Sequence, residues 1–320
     1  MKNIVTYRNL IEEELKKNSS QKNFPLELYE PIEYMLSLGG KRVRPILVLL
    51  SCEMAGGKVE DALPAAIGIE LFHNFSLVHD DIMDNAPLRR NQKTVFEKWN
   101  RNIAVLSGDA MLVRAYQYLA KTKTDKLEKI LKIFSETAIK VCEGQQLDMN
   151  YEKQNISIDE YLQMIEKKTA VLLAASLKIG ATIGGANEND SEEFYEFGKN
   201  IGIAFQLQDD LLDVYGDTQK IGKQNGGDII AGKKTFLFLK AIEKGKKNEL
   251  ENCFADEKDK QAKVDSVKVI YDSANIKTET EQIIQLYSAK AFSFLDKIPI
   301  DSDKKAPLKS LAESLMIREY

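Results

Sequence analysis

Apolar residues along the chain recur with the three- to four-residue spacing of helices, and strand-like alternation is hard to find. Only seven prolines interrupt 320 residues, so long helices are expected. The spacing predicts seven helices, over residues 43–56, 62–84, 107–121, 124–150, 158–184, 190–215 and 277–295. Segments 62–84 and 199–214 are apolar nearly all round, which is typical of helices in the centre of a bundle.

No stretch rich in Gly, Ser or Pro divides the chain, so the pattern predicts one all-α domain over residues 1–320. A hydrophobic content of 43% is enough to bury a sizeable core. The charged segment 254–266 is predicted to be a surface loop or a helix end.

Charge and composition narrow the classes of function. The net charge of −4 has no clustered basic excess, which argues against nucleic-acid binding. No apolar run approaches the roughly 18 residues of a membrane span, and the amphipathic N-terminus lacks the apolar core of a secretory signal. The three cysteines lie far apart and are expected to be free thiols in a reducing compartment. We therefore expect a cytoplasmic protein without stable membrane insertion.

Each of the two most apolar segments ends in three aspartates with the spacing DDxxD, in LVHDDIMD (77–84) and LQDDLLD (207–213). The six residues are Asp80, Asp81, Asp84, Asp209, Asp210 and Asp213. Residues four apart share one helix face, so the first and third aspartates of each motif point the same way. Pro87 and Gly216 are expected to end the two helices soon afterwards. The acids would then meet the negative end of the helix dipole and also repel one another.

Something positive must offset this charge. Protein cations could do so for a single motif, which would then be an ion-paired, solvated helix end. Two motifs of one pattern, each ending a core helix, favour a metal, and all-oxygen ligands suit Mg²⁺. Because Mg²⁺ usually shares its coordination with substrate phosphates, a phosphate ester is the expected substrate.

Cationic segments lie close to both motifs in the sequence. PLRR (87–90) follows the first, GKQNGGDIIAGKKT (222–235) follows the second, and GGKRVRP (39–45) offers three more cations. A basic turn by itself is usually only solvated. Arginine matches phosphate with paired hydrogen bonds, and lysine acts as a point charge. Two diphosphates with Mg²⁺ between carboxylates and phosphates would account for both the acids and the bases.

Seven sequence elements, in this order, resemble the trans-isoprenyl diphosphate synthase family, also called polyprenyl synthetase. They are GGKRVRP, ELFHNFSLVHDDIMDNAPLRR, LSGDAML, EGQQLD, KKTA, AFQLQDDLLD and GKQNGGDIIAGKKT. The resemblance covers about residues 35–240 and implies an isoprenoid-synthase-like helical bundle around a central cavity. Phe236 and Leu237 stand where the family often has Leu-Pro, and Asn91 where it usually has Gly. We expect these departures to change packing and loop shape rather than chemistry.

The resemblance implies a prenyltransferase that condenses isopentenyl diphosphate with dimethylallyl, geranyl or farnesyl diphosphate and uses Mg²⁺. Implied principal metal ligands are Asp80, Asp84 and Asp209, supported by Asp81, Asp210 and Asp213. Implied contacts of the allylic diphosphate are Arg89, Lys168, Lys223 and Lys233. Implied contacts of isopentenyl diphosphate are Lys41, Arg44, His73 and Arg90. Thr169 and Gln206 would place oxygen dipoles near the allylic carbocation, which the isopentenyl double bond attacks before a proton is lost to the leaving diphosphate.

Several of these residues have a plainer interpretation. A lone histidine in an apolar helix, such as His73, is usually a core residue. His79 could merely orient a carboxylate, and Asp109 could be a helix cap. Lys168 and Thr169 could belong to a solvated helix face. Lys233 is predicted to face the substrate while Lys234 faces water.

The residues upstream of Asp80 bear on product length. Phe75 lies five residues and Phe72 eight residues before Asp80, on roughly the same helix face. Two rings there would close the path of the growing chain after a few isoprene units, which predicts a C15 or C20 product. If both are plain core aromatics, a product of C30 or longer stays open.

Two other functions are compatible with this fold class. A terpene cyclase usually has one DDxxD and no need for GGKRVRP and paired arginines. A non-catalytic regulatory subunit typically loses aspartates, and both motifs are complete here. The resemblance also implies a homodimer packed through helices.

Overall fold

The computed structural model describes residues 2–19, 24–216, 226–255 and 259–316, and confirms the predicted all-α class. The helices are α1 (Lys2–Ser19), α2 (Leu26–Ser37), α3 (Val43–Met54), α4 (Val59–Met83), α5 (Val95–Lys98), α6 (Arg101–Leu119), α7 (Leu127–Tyr151), α8 (Ile158–Ile165), α9 (Val171–Ile183), α10 (Glu188–Tyr215), α11 (Gly227–Ile230), α12 (Phe236–Glu243), α13 (Lys247–Ala255), α14 (Lys260–Ser273), α15 (Ile276–Lys297) and α16 (Ser302–Met316). Within those ranges the strands are β1 (Leu88–Arg89) and β2 (Gln92–Lys93).

The seven predicted helices are present with shifted ends, and the segment predicted over 158–184 is helical from Ile158 to Ile183 but contains a turn of a different kind. Residues Glu166–Ala170 form a π-helical turn between α8 and α9. In a π turn the backbone hydrogen bonds join residues five apart, rather than four apart as in an α-helix. Such turns occur frequently at functional sites. Segment 254–266 holds the end of α13 and the start of α14, where Asp259 caps the helix by accepting from two backbone amides.

The helices pack into two compact units. The first comprises Met1–Glu136, Ala175–Tyr195 and Ile298–Leu308, and the second comprises Thr137–Ala174, Glu196–Lys297 and Lys309–Tyr320. A single domain over 1–320 stays a prediction.

Helix α4 runs through the core of the first unit, packed against α3 and α6. It is apolar nearly all round, as its sequence predicts, and most of its residues are buried. Gly68 permits the close contact with α6, since an added Cβ would lie 2.9 Å from the carbonyl oxygen of Ala115. The end of this packed helix carries the first aspartate motif.

The core of the second unit gathers side chains from α8, α10, α12, α14 and α15. Leu207 and Leu211 contribute the buried face of the second aspartate motif. Phe236 and Leu237 begin α12 inside this core and are almost fully buried. In the described part of the chain, no helix combines the length and apolar character needed to cross a membrane.

Candidate functional site

The first acidic cluster, Asp80, Asp81 and Asp84, lies at the C-terminal end of α4, where Asp84 is the C-cap residue. Asp81 is 2% exposed and accepts hydrogen bonds of 2.7–3.0 Å from Nε and Nη2 of Arg89. Burial raises the pKa of Asp81, and the Arg89 guanidinium opposes that shift. Asp84 is exposed and Asp80 is half-buried. Asp81 and Arg89 are therefore engaged with each other, whereas Asp84 faces solvent.

The paired arginines lie on a short hairpin. Strands β1 and β2 pair antiparallel, Arg89 opposite Gln92, and the connecting residues Arg90 and Asn91 have φ of 52° and 61°. Two left-handed residues define a type I′ turn, which suits hairpins and tolerates asparagine. Asn91 thus keeps the backbone shape that glycine usually provides. The turn directs Arg90 to donate a hydrogen bond to the carbonyl oxygen of Gly39.

Gly40 makes room for that arginine. A Cβ at Gly40 would lie 3.0 Å from Nη2 of Arg90, and its φ of 146° also disfavours a side chain. Arg90, Arg44 and His73, three of the residues predicted to bind isopentenyl diphosphate, occur in this first unit together with the exposed Lys41.

Arg44 and His73 are in direct contact, with Nη1 of Arg44 at 3.1 Å from Nε2 of His73. A guanidinium can only donate, so Nε2 accepts and the imidazole proton lies on Nδ1. Burial and the charge of Arg44 lower the pKa of His73 well below its ordinary value, which keeps the ring neutral. Burial lowers the pKa of Arg44 to about 10, so it remains charged at neutral pH.

The guanidinium of Arg42 is bound by carboxylates of the protein itself. Its Nη1 lies 2.5 Å from Glu70 and its Nε 2.7 Å from Glu12, and the residue is 3% exposed. Glu70 also accepts a 3.0 Å hydrogen bond from Asn74. These contacts tie the GGKRVRP segment to α1 and α4 and so fix the neighbours Lys41 and Arg44.

The histidine next to the first motif points away from it. Nε2 of His79 lies 3.7 Å from Oδ1 of Asp109 and 3.3 Å from the carbonyl oxygen of Val105. The interpretation of Asp109 as a helix cap is wrong, because Asp109 lies in the middle of α6 and Asn100 caps that helix.

Phe72 and Phe75 belong to a row of aromatic rings in the first unit. Their centroids are 5.5 Å apart, and Phe72 lies 5.2 Å from Phe134, which in turn lies 4.9 Å from Tyr116. At the other end Phe75 packs edge-on against His79 at 4.7 Å. Phe72 is 1% and Phe75 8% exposed. The predicted common helix face therefore holds for these two rings.

In the second unit, Lys168 and Thr169 belong to the π turn, whose backbone fixes where their side chains begin. Nζ of Lys168 lies 2.5 Å from Asp148, the aspartate of EGQQLD. Two glycines allow neighbouring helices to approach the turn. A Cβ at Gly144 would lie 2.3 Å from the amide nitrogen of Lys168, and one at Gly202 would lie 2.5 Å from Cα of Ala170. The backbone of the turn is thus fixed from α7 and from α10.

Lys168 and Thr169 line a cavity of about 180 Å³, together with Gln206 and Asp209. Asp228 and Lys233 also line it, with Nζ of Lys233 at 3.6 Å from Oδ1 of Asp228. Lys234, predicted to face water, lines the same cavity while its Nζ donates to the carbonyl oxygen of Gln154 at 2.5 Å. The cavity thus combines acidic and basic side chains with uncharged oxygen-bearing ones, among them Thr169 and Gln206.

The second acidic cluster, Asp209, Asp210 and Asp213, divides by environment. Asp209 is exposed and lines the cavity. Asp210 is 3% exposed and accepts hydrogen bonds from the hydroxyl of Tyr161 and from Nε2 of Gln206. Asp213 accepts a 3.0 Å hydrogen bond from the backbone amide of Asp228. Asp210 and Asp213 are thus occupied by protein donors.

Burial and repulsion from neighbouring carboxylates both disfavour the charged form of the aspartates in this cluster. Burial and the charge of Asp228 raise the pKa of Asp213 to about 6 and that of Asp210 to about 8. The all-oxygen donors and the unbalanced negative charge fit a hard divalent cation. Within the described ranges no three His, Cys, Asp or Glu side chains form a ready-made metal site.

Lys223 lies outside the described residues. Asp228, the acid that follows the glycine pair, was not predicted, because the chemistry expected of segment 222–235 was that of its lysines. Tyr161 and Glu70 were missed because each acts through a partner 49 or 28 residues away, a separation at which no periodic pattern is informative.

A family model described as polyprenyl synthetase matches residues 25–272. The geranylgeranyl diphosphate synthase of Methanosarcina mazei is 42% identical over 226 residues, 70% of each chain. The crystal structure of geranylgeranyl pyrophosphate synthetase from Pyrococcus horikoshii Ot3 is 34% identical, with a TM-score of 0.93 over 99% of both chains. That of geranylgeranyl pyrophosphate synthase from Corynebacterium glutamicum, complexed with isoprenyl diphosphate and magnesium, is 26% identical, with a TM-score of 0.86 over 98% of this chain and 97% of that one.

Proposed function

Since the chain belongs to the polyprenyl synthetase family and is an isoprenyl diphosphate synthase, a trans-prenyltransferase, we propose that it condenses isopentenyl diphosphate with an allylic diphosphate to a C15–C20 product. The observation that carries this proposal is the cavity of the second unit. There Lys168 and Lys233 can receive a diphosphate while Thr169 and Gln206 offer oxygen atoms to a carbocation. A protein that only binds a partner needs neither this pair of lysines nor these two oxygen-bearing side chains.

In this proposal the first unit binds isopentenyl diphosphate through Lys41, Arg44, His73 and Arg90. The neutral His73, with its proton on Nδ1, donates to a phosphate oxygen, while Arg44 contributes charge from a buried position. Glu70 and Glu12 hold the neighbouring Arg42 and so keep the segment in place before substrate arrives.

The allylic diphosphate is held by Lys168 and Lys233, with Arg89 and Lys223 as further contacts. Asp80, Asp84 and Asp209 are the proposed principal ligands of Mg²⁺, with Asp81, Asp210 and Asp213 in support. When bound, Mg²⁺ neutralises charge on the diphosphate and makes it a better leaving group. Magnesium in the Corynebacterium glutamicum structure supports this choice of metal.

The C–O bond of the allylic substrate breaks with its electron pair leaving on the diphosphate. Thr169 and Gln206 stabilise the resulting carbocation through the negative ends of their dipoles. The isopentenyl double bond attacks the carbocation, and a proton is then lost to the departed diphosphate. Each cycle lengthens the chain by five carbons.

The test is incubation of purified protein with labelled isopentenyl diphosphate, Mg²⁺ and dimethylallyl, geranyl or farnesyl diphosphate in turn, followed by dephosphorylation and sizing. An endpoint at C15 or C20 is expected. A C30 or longer product would keep the chemistry and overturn the length. No elongation by folded protein with any primer would overturn the function.

Product length is proposed to depend on the aromatic row that begins at Phe75. Phe75→Ala removes the ring nearest the first motif and opens space toward Phe72, so the main product should lengthen by at least one C5 unit. Chain-length analysis of the dephosphorylated products measures this. Phe24→Ala, at an 86% exposed ring, is the control. An unchanged product distribution from folded Phe75→Ala protein would show that Phe75 is only a core aromatic.

A homodimer is supported by an exposed apolar face on α6. Val105, Leu106 and Val113 are 40%, 60% and 58% exposed there. Leu106→Glu places a charge on this face and should shift the protein from dimer to monomer in light scattering after gel filtration. Gln282→Glu, an exposed position on α15, adds the same charge elsewhere and should leave the dimer intact. A Leu106→Glu variant that stays dimeric would contradict the proposed interface.

A cytoplasmic location is proposed because Cys52, Cys142 and Cys253 form no disulfide bond among the described residues. Free thiols are typical of reducing compartments.

A further inference from the structure

A chain of three hydrogen bonds in the second unit links a buried tyrosine to the threonine of the π turn. The hydroxyl of Tyr161 donates to Oδ2 of Asp210. Nε2 of Gln206 donates to Oδ1 of Asp210 at 3.1 Å, and Oγ1 of Thr169 donates to Oε1 of Gln206 at 3.1 Å. We call these four residues the relay. Tyr161, Gln206 and Thr169 all line the cavity.

Each hydrogen bond of the relay fixes the next. The Asp210 oxygen accepts from Gln206, so the amide turns its Nε2 toward Asp210 and its Oε1 toward Thr169. Thr169 then uses its one hydroxyl proton on Gln206, and its oxygen lone pairs remain for the cavity. Without the relay, the hydroxyl could rotate and present its proton to the cavity, which would repel a carbocation.

The directions of the hydrogen bonds in the relay depend on Tyr161, because this residue and Asp210 are both buried. Tyr161 is 4% and Asp210 3% exposed, so a lost tyrosine hydroxyl would leave an Asp210 oxygen without a donor in a place that water reaches poorly. Asp210 would then draw the Gln206 amide into a different hydrogen-bond geometry. The orientation of Thr169 therefore depends on a hydroxyl two links away.

We propose that Tyr161 is a positioning residue that acts through Asp210 and Gln206 to aim the Thr169 oxygen at the allylic carbocation. The proposal rests on the proposed function, since the carbocation forms only if the allylic diphosphate ionises. Asp210 then supports the metal site only indirectly, as the common acceptor of the relay, and does not itself ligate the metal. Asp209, exposed at the cavity, keeps the metal-binding role.

The test is a double-mutant cycle of Tyr161→Phe and Thr169→Val, with steady-state kinetics for both substrates. Tyr161→Phe should lower kcat about tenfold and change each KM less than about threefold. In the Thr169→Val background the same change should cost less than about twofold, because the Thr169 oxygen is no longer there to be aimed. Tyr151→Phe, which removes another hydroxyl from the cavity lining, should keep kcat within about twofold of the parent.

A second measurement separates the relay from metal binding. Titration of free protein with Mn²⁺, followed by electron paramagnetic resonance, should give Asp210→Asn an affinity within about threefold of the parent. Asp209→Asn should weaken Mn²⁺ binding at least about tenfold. If Tyr161→Phe does not fold, Asp210→Asn, which replaces one acceptor oxygen of the relay by a donor amide, takes its place in the same cycle.

Three results would overturn the relay. One is an equal loss of kcat for Tyr161→Phe with and without Thr169, which would show a merely structural role. Another is a loss of Mn²⁺ affinity in Asp210→Asn as large as in Asp209→Asn. The third is parental kcat for folded Tyr161→Phe. Parental protein that makes no product would instead overturn the proposed function, and the role of the relay with it.

Discussion

Asp209→Asn is expected to lower kcat by about 10²–10³-fold, the loss typical of removing one electrostatic contact to the developing charge of a transition state. Asp209 is the exposed carboxylate of the second acidic cluster and lines the cavity, while Asp210 and Asp213 are bound by protein donors. The substitution keeps the shape of the side chain and removes its charge. Steady-state kinetics over a range of Mg²⁺ concentrations measures the effect.

The stability of the variant provides the contrast. Asp209 contributes to the charge that raises the pKa of Asp210 and Asp213, so neutralising it should leave the midpoint of thermal unfolding unchanged or raise it. Asp265→Asn, an exposed carboxylate on α14, should change neither kcat nor unfolding. Folded Asp209→Asn with parental kcat at all Mg²⁺ concentrations would exclude Asp209 from the chemistry.

Gly144→Ala is expected to lower both stability and activity. Its methyl group would lie 2.3 Å from the amide nitrogen and 2.6 Å from Cα of Lys168, and backbone atoms cannot move aside as a flexible side chain can. Overpacking of this kind costs about 1–3 kcal/mol of unfolding free energy. The π turn must shift, which moves Lys168 and Thr169, so kcat should fall at least about tenfold.

Denaturant unfolding and single-turnover kinetics of the same preparation measure the two effects. Gln146→Ala, an exposed position on the same helix, is the matched control. If Gly144→Ala destabilises the protein but leaves the rate of ionisation unchanged, the turn tolerates displacement and its exact backbone position does not matter for catalysis.

The helices were predictable because their periodic apolar faces are local features of the sequence. The end of α4 at Met83 and of α10 at Tyr215 followed from the residues beyond them. The π turn was not predictable, since Glu166–Ala170 consists of ordinary helix formers and its shape depends on contacts from Gly144 and Gly202. Strands of two residues are too short for alternation to appear, and Arg90-Asn91 is not the Asn-Gly pair that signals a tight hairpin.

The candidate residues could be chosen from the sequence, but the contacts that each of them makes could not. The two DDxxD motifs contain six aspartates that the sequence alone does not distinguish. The structure distinguishes them by their partners, with Asp81 held by Arg89 and Asp210 by Tyr161. Those partners are set by tertiary packing, which the spacing of charges within one helix does not encode.

The division of the chain into two units has a consequence for evolution and engineering. The aromatic row of Phe72 and Phe75 belongs to the first unit, and the relay of Tyr161 and Thr169 to the second. Each set has its own network of contacts, so under the proposed function a mutation in the aromatic row that lengthens the product need not disturb the residues proposed to stabilise the carbocation. Gene variants could therefore diversify product length step by step while every intermediate protein keeps its catalytic competence.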